Sequence, residues 1–424
     1  MEIIRYPIRE KWPEILQRPL MNTPEIDSLV LPIIRNVKER GDDAVIEYTG
    51  KFDGVNLTAI EVTSGEIDDA EKLTDDDLKN AIALASRNIE AFHRAQQTKT
   101  EIVNIADGVE CWQKAVAIQK VGLYIPGGTA PLFSTVLMLA IPAKIAGCSE
   151  IILCTPPGKD GSIHPAILYS AKTAGVTRVF KVGGAQAIAA MAYGTQTIPA
   201  VYKIFGPGNQ YVTAAKQLVS RSEVAIDMPA GPSELAVIAD ETSEPVFVAA
   251  DLLSQAEHGT DSQVVLFTTS ENIAAAVMSE IEKQVEMLPR KQIALGSLAH
   301  SRIIILKNRS DIMTMVNEYA PEHLIIATSD ADVLAEQVIN AGSVFLGHYA
   351  TESAGDYASG TNHTLPTNGY ARAYNGVNLD DFVKKITFQR ITKSGLEIIG
   401  PAIMTMAANE ELIAHRNAVL LRIK

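Results

Sequence analysis

Hydrophobic positions follow two regimes along this chain. Up to about residue 100 they recur at helical spacing among charged residues, most clearly over 75–97, which reads as an amphipathic helix. From Val116 the pattern changes to short β-rich runs, each followed by glycine or proline and then by an Ala-rich helical stretch. Strands are expected at 121–125, 151–154, 176–180 and 201–205, and again at 234–238, 263–267 and 302–306. Such alternation marks βαβ units and parallel sheets. After about Asp380 the pattern is helical again, and no further strand is expected. The expected fold is α/β, with two Rossmann-like parallel-sheet domains and small helical N- and C-terminal segments. The boundaries expected are 1–115 for a mainly helical region, part of it packing on the second α/β unit, 116–232 for the first α/β domain, 233–379 for a second that holds a metal site, and 380–424 for a helical C-terminal segment. No internal repeat is visible in the sequence.

Composition narrows the classes. A chain of 424 residues, 47% hydrophobic and 21% charged, is an ordinary globular protein with room for several domains. The net charge is −13, and no Lys/Arg cluster is interleaved with aromatics, so nucleic acid is not an expected partner. Apolar runs such as 136–141 fall far short of the roughly 20 residues a bilayer span requires. The N-terminal Met1-Glu2-Ile3-Ile4-Arg5 lacks a secretory pattern, which points to the cytoplasm. Cys111, Cys148 and Cys154 do not make a disulfide framework and read as buried small hydrophobes.

Three strand-to-helix turns carry glycines: Pro126-Gly127-Gly128, Gly183-Gly184-Ala185-Gln186 and Gly206-Pro207-Gly208-Asn209. In open α/β sheets ligands lie at such turns, where glycine admits close backbone approach and helix N-termini attract anions. None completes G-x-G-x-x-G, so the dinucleotide fingerprint is incomplete, and a plain turn and a nucleotide contact both remain open.

Four of the 8 His fall in four short polar islands. In the first, Asp251, Gln255 and His258 share one face of a helical pattern, so Gln255 and His258 can reach one ion, although Gln is an uncommon zinc ligand. In the second, Glu322 and His323 abut, an acid and a base suited to proton transfer. The third, over 352–363, reads as a glycine-rich loop in which Asp356 offers a hard oxygen and His363 can hold an anion or a substrate. In the last, His415 lies in a helical pattern with Glu411 four residues earlier, placed to orient its ring.

Together with Tyr124-Ile125-Pro126-Gly127-Gly128, Phe205-Gly206-Pro207-Gly208-Asn209 and Ala230-Gly231-Pro232-Ser233-Glu234, these stretches resemble, in order and over most of the chain, the histidinol dehydrogenases. That family oxidises histidinol to histidine in two NAD-dependent steps. The resemblance implies zinc ligands at Gln255, His258, Asp356 and His415, and a catalytic pair at Glu322 and His323. It also implies substrate contacts at Ser233, His363 and Glu410, beside the four ligands and His323, and NAD contacts at Tyr124, Gln186 and Asn209. It further implies a homodimer whose C-terminal segment crosses over, so that His415 and Glu410 complete the partner's site. Spacing alone favours Glu411 over Glu410. Competing readings are a dehydrogenase of another small alcohol, a zinc-dependent hydrolase, which leaves the glycine turns unexplained, and a non-catalytic metal-binding protein.

Overall fold

The computed structural model describes residues 1–424 apart from 20–22, 128–129 and 230, and for residues 23 and 24 only the backbone. Gly128 and Ala230, which belong to two of the motifs, lie outside the described residues.

Two parallel sheets dominate. One has the strand order β6 (Arg178–Lys181), β5 (Glu150–Thr155), β4 (Lys120–Tyr124), β7 (Lys203–Phe205), β8 (Ala225–Ile226). The other runs β1 (Glu2–Arg5), β11 (Arg302–Ile305), β10 (Gln263–Thr268), β9 (Glu234–Ala239), β12 (His323–Ala327), β13 (Ser343–Leu346). Helices cover both faces, so central strands are apolar on each side: Ile303, Ile304 and Ile305 are all fully buried. The seven expected strands are all present, within a few residues at their ends.

Numbered within each unit, and setting edge strand β1 aside, both sheets have the order 3-2-1-4-5. The two halves are wound alike although no repeat is visible in the sequence, because winding constrains polarity and length far more than side-chain identity. The N-terminal region divides between them: β1 extends the second sheet, while the helix Thr23–Arg40 packs on the first unit's helices Gly184–Tyr193 and Gln210–Ser220.

Expectation and structure part at the two ends. A third sheet, antiparallel, joins β14 (Val383–Ile391), β3 (Val109–Ala117) and β2 (Ile102–Ala106), where helix was expected on both sides. β14 is exposed along nearly its whole length, so no buried face imposes the alternation by which a strand is read. Beyond it, the helices Lys393–Asn409 and Ile413–Ile423 pack on each other as the expected C-terminal appendage. Cys148 and Cys154 are buried, whereas Cys111 is only partly so. Among the described residues no helix is long and apolar enough to cross a membrane.

The first unit depends on a close backbone approach where β4 and β7 end. Gly206 has φ +124°, and a Cβ there would lie 2.0 Å from the Tyr124 carbonyl oxygen. Gly206→Ala is therefore expected to destabilise the protein by about 1–3 kcal/mol. Urea unfolding measures this, and a variant as stable as the parent would contradict the close approach.

Candidate active site

Strand order places a crevice between β4 and β7, where the winding reverses, at the carboxyl ends of the first sheet. A cavity of about 1160 Å³ opens there, and all three glycine turns line it, through Pro126, Gly127, Gly184, Gln186 and Asn209. Tyr124 closes β4, and its hydroxyl accepts the Gly184 N–H at 3.1 Å. Burial pushes its phenol up to about 12, so it stays a neutral hydroxyl able to donate. Gln186 is fully buried, and neither polar atom of its side chain has a partner among the described residues. Asn209 caps the helix Gln210–Ser220, its Oδ1 accepting from Tyr211 and Val212 N–H at 3.1 and 3.2 Å.

Three of the four polar islands gather instead at the amino edge of the second sheet. Glu322 lies just before β12, and its Oε2 accepts the N–H of Glu234, the first residue of β9, at 2.8 Å. Ser233 immediately precedes that strand. Arg18 holds Glu234 from below, with Nε and Nη2 donating to its two carboxylate oxygens at 2.5 and 2.8 Å. His323 opens β12, with Nδ1 3.8 Å from Glu322 Oε2 and 3.9 Å from Glu352 Oε1, and Nε2 3.8 Å from Asp356 Oδ1. His363 Nδ1 lies 3.1 Å from the Asp356 carbonyl oxygen. Its Nε2 is 3.0 Å from the hydroxyl of Thr135, on the first unit's helix Phe133–Ala146, so this ring ties the two units together.

His258, Glu352 and Asp356 bring potential ligand atoms within 4.8 Å of one another. Buried Gln255 joins them, with Nε2 3.1 Å from His258 Nδ1 and Oε1 left without a partner among the described residues. The helix Pro245–Ala256 ends before His258, so that residue lies in the following turn and not on the helix face as expected. Its N–H donates to the Gln255 carbonyl at 3.2 Å, which keeps the two side chains together. The first half of 352–363 is likewise a helix, Glu352–Tyr357, and not a loop. Gly355 lets that helix meet β13, since a Cβ there would sit 2.7 Å from the Phe345 ring.

Two further expectations are corrected. Glu352, which the sequence offers only as part of the island over 352–363, stands inside the cluster; its spacing of four residues from Asp356 on one helix is the available signal. Glu411 and His415 do not share a helix, because the chain reverses at Glu411, φ +59°, between Lys393–Asn409 and Ile413–Ile423. Glu410 and His415 are exposed within this chain, and His415 is not part of the cluster.

Burial dominates the electrostatics. It pushes the Glu322 and Glu352 carboxyls well above the usual range and Asp356 up to about 7. It drives the His323 imidazole down to about 3 and that of His363 to about 4, so both rings are neutral at neutral pH. The arrangement is a carboxylate-rich pocket, buried at Glu322, His323 and Glu352 and open at His258, with neutral imidazoles at His323 and His363, able to bind a cation and to accept a proton.

The histidinol dehydrogenase family model matches residues 16–423. Histidinol dehydrogenase of Bacteroides thetaiotaomicron is 63% identical over 423 residues, covering 100% of this chain and 99% of that protein. The Escherichia coli enzyme of the same name is 51% identical, covering 98% of this chain and 95% of its own. The crystal structure of histidinol dehydrogenase from Elizabethkingia anophelis superposes with a TM-score of 0.98 at 54% identity, covering 100% of this chain and 98% of that one. With the family model spanning nearly every residue and such relatives matching end to end, this chain belongs to the histidinol dehydrogenase family.

Proposed function

We propose that the protein carries out the NAD-dependent four-electron oxidation of L-histidinol to L-histidine, through an aldehyde, with a zinc ion positioning the substrate. The observation that carries this reading is the cluster of Gln255, His258, Glu352 and Asp356 beside the Glu322–His323 pair, buried at Gln255 and Glu352 and open to solvent at His258, in a chain of this family. The residues present suit both groups. A zinc ion suits a pocket of imidazole, carboxylate and an orphaned buried amide oxygen. A dinucleotide suits a large crevice bordered by glycine turns and two helix N-termini, with buried, unpartnered Gln186 in its wall.

Gln255, His258, Asp356 and His415 of a second copy would hold zinc, which when bound would supply a Lewis acid for positioning the substrate, and Tyr124, Gln186 and Asn209 would hold NAD, the hydride acceptor. The residues of this chain do the rest. Neutral His323 accepts the alcohol proton, and again a proton in the second oxidation. Glu322, fixed on the Glu234 N–H, activates the water that hydrates the aldehyde, and burial makes it the stronger base once ionised. Ser233 and His363 flank the substrate from just before β9 and from the junction of the two units. Tyr124, Gln186 and Asn209 line the dinucleotide crevice.

His415 and Glu410 complete the site of a second copy in a homodimer. The two C-terminal helices and the turn between them carry uncovered Ile398, Met406, Leu412, Ile413 and Leu421, a surface suited to burial against a partner. The same reading places the enzyme in the cytoplasm, acting on a small molecule, with neither nucleic acid nor membrane as partner.

Zinc-loaded protein given histidinol and NAD should form two NADH per histidine, followed by absorbance and product analysis; NADH without histidine would end this reading. Glu322→Gln should spare the first oxidation more than the second, and equal losses in the two half-reactions would refute the assignment. Arm exchange is tested by mixing two inactive variants, His258→Ala and His415→Ala. Crossed arms give each mixed dimer one intact site, so random mixing should restore about a quarter of parental activity. No recovery from dimers shown to have exchanged subunits would place His415 in its own chain's site.

The metal should also reshape the pH dependence of stability. A carboxyl whose folded pKa is raised above its unfolded value contributes stability that fades as pH rises through the folded value. Asp356, at about 7, and Glu322 and Glu352, raised well above the usual range, all act in this direction, and together they outweigh the lowered imidazoles, which lose stability as pH falls through their unfolded value of about 6.5. Metal-free protein should thus melt at lower temperature at about pH 8.5 than at about pH 6.5, and the gain from zinc should grow over the same range. Thermal melts with chelator and with zinc measure this; a zinc gain that shrinks with pH would contradict it.

A further inference from the structure

Glu352 takes no part in either proton transfer, yet its side chain is 1% exposed and neither carboxylate oxygen has a hydrogen-bond partner among the described residues. A buried polar group left in that condition is costly, so its position calls for a donor. His323 Nδ1 is equally without a partner and lies 3.9 Å from Glu352 Oε1. The rival acceptors are Glu322 Oε2 at 3.8 Å, which already receives the Glu234 N–H at 2.8 Å, and the backbone carbonyl of Glu234, which also bears on the ring. On the other side of the ring, Nε2 faces Asp356 at 3.8 Å, among the residues that would hold metal and substrate. A ring protonated on Nδ1 therefore meets both needs. It gives Glu352 a donor, and it leaves the Nε2 lone pair on the substrate side.

We propose that Glu352 is a positioning residue: its carboxylate receives the His323 Nδ1–H and fixes the ring in the tautomer and orientation that leave Nε2 free as the base. This deepens the reading of His323 as the proton acceptor and rests on it. On taking the alcohol proton at Nε2 the ring becomes an imidazolium whose Nδ1–H stays on Glu352, while the hydride leaves to NAD; the transferred proton does not pass to Glu352. Because Glu352 also lies within ligand distance of His258 and Asp356, a role as metal ligand is the competing outcome.

The test uses full-length, zinc-loaded protein labelled with nitrogen-15 in its histidines, with the His323 signals identified by their loss in His323→Gln. The parent should show His323 protonated on Nδ1. Glu352→Gln can turn its amide N–H toward Nδ1 and should move the proton to Nε2, while Glu352→Leu should abolish the preference. Both variants should keep a full zinc complement and a near-parental KM for histidinol, with kcat lowered about 10²- to 10⁴-fold. Loss of zinc from Glu352→Gln would make Glu352 a ligand and overturn the proposal, as would a His323 tautomer unchanged in that variant. If Glu352→Leu fails to fold, the near-isosteric Gln variant still decides. The tautomer is read without turnover, so a parent that holds Nδ1–H but makes no NADH from histidinol would refute the proposed reaction and leave this contact standing.

Discussion

Everything at this site depends on taking carboxylates out of water. Glu322, Glu352 and Asp356 crowd around His323 in a pocket where their ionised forms are poorly solvated. Such a cluster persists only if the surrounding structure holds it from outside and a cation or protons neutralise it from inside. The outer support is visible. Arg18 clamps Glu234, the Glu234 N–H holds Glu322, and the Thr351 hydroxyl donates to Asp251 at 2.8 Å behind the cluster. These contacts tie Glu322, His323 and Glu352 to strand and helix starts, elements stiffer than the turn that carries His258.

The two like-wound halves are put to opposite use. The first presents the carboxyl edge of its sheet, where the helices Gly184–Tyr193 and Gln210–Ser220 begin and their positive ends favour an anion. The second presents its amino edge, where the helix Pro245–Ala256 ends beside Gln255 and His258 and its negative end favours a cation. Joining the edges through His363 and Thr135 sets a cation-seeking pocket beside an anion-seeking crevice. Under the proposed reaction, in which a substrate is held against a dinucleotide, that polarity serves both groups without further charged side chains.

Legibility in the sequence followed burial. Strands sheathed by helices, such as 263–267 and 302–306, announced themselves as β-branched runs, and they formed as expected. β14, exposed on both faces, gave no comparable pattern and was missed. At the site, the Glu322–His323 pair could be read from adjacency alone, and Gln255 with His258 from helical spacing, even though the helix stops two residues short of His258. Glu352 went unassigned because its role arises from partners distant in sequence, His323 and His258, that only the sheet brings beside it. Spacing misled near the C-terminus for the converse reason. A single left-handed residue, Glu411, breaks a pattern that periodicity read as continuous.

That break also bears on how the arm would serve a site. Had the helical pattern run unbroken through 410–415, Glu410 and His415 would lie five residues apart on one rod, more than a full turn from one another around and along its axis. The reversal at Glu411 instead sets Glu410 at the end of one helix and His415 in the first turn of the next, at the tip of an antiparallel pair. A tip can enter a pocket that the side of a rod cannot. The pair is anchored at its base, where β14 runs alongside β3 and Phe382 stacks on Phe205 with ring centroids 4.1 Å apart. With its base fixed to the first unit and its tip exposed, the arm has the form needed to deliver a ligand and a carboxylate to a neighbouring copy. Assembly would then finish the very cluster whose desolvated charge a single chain leaves incomplete.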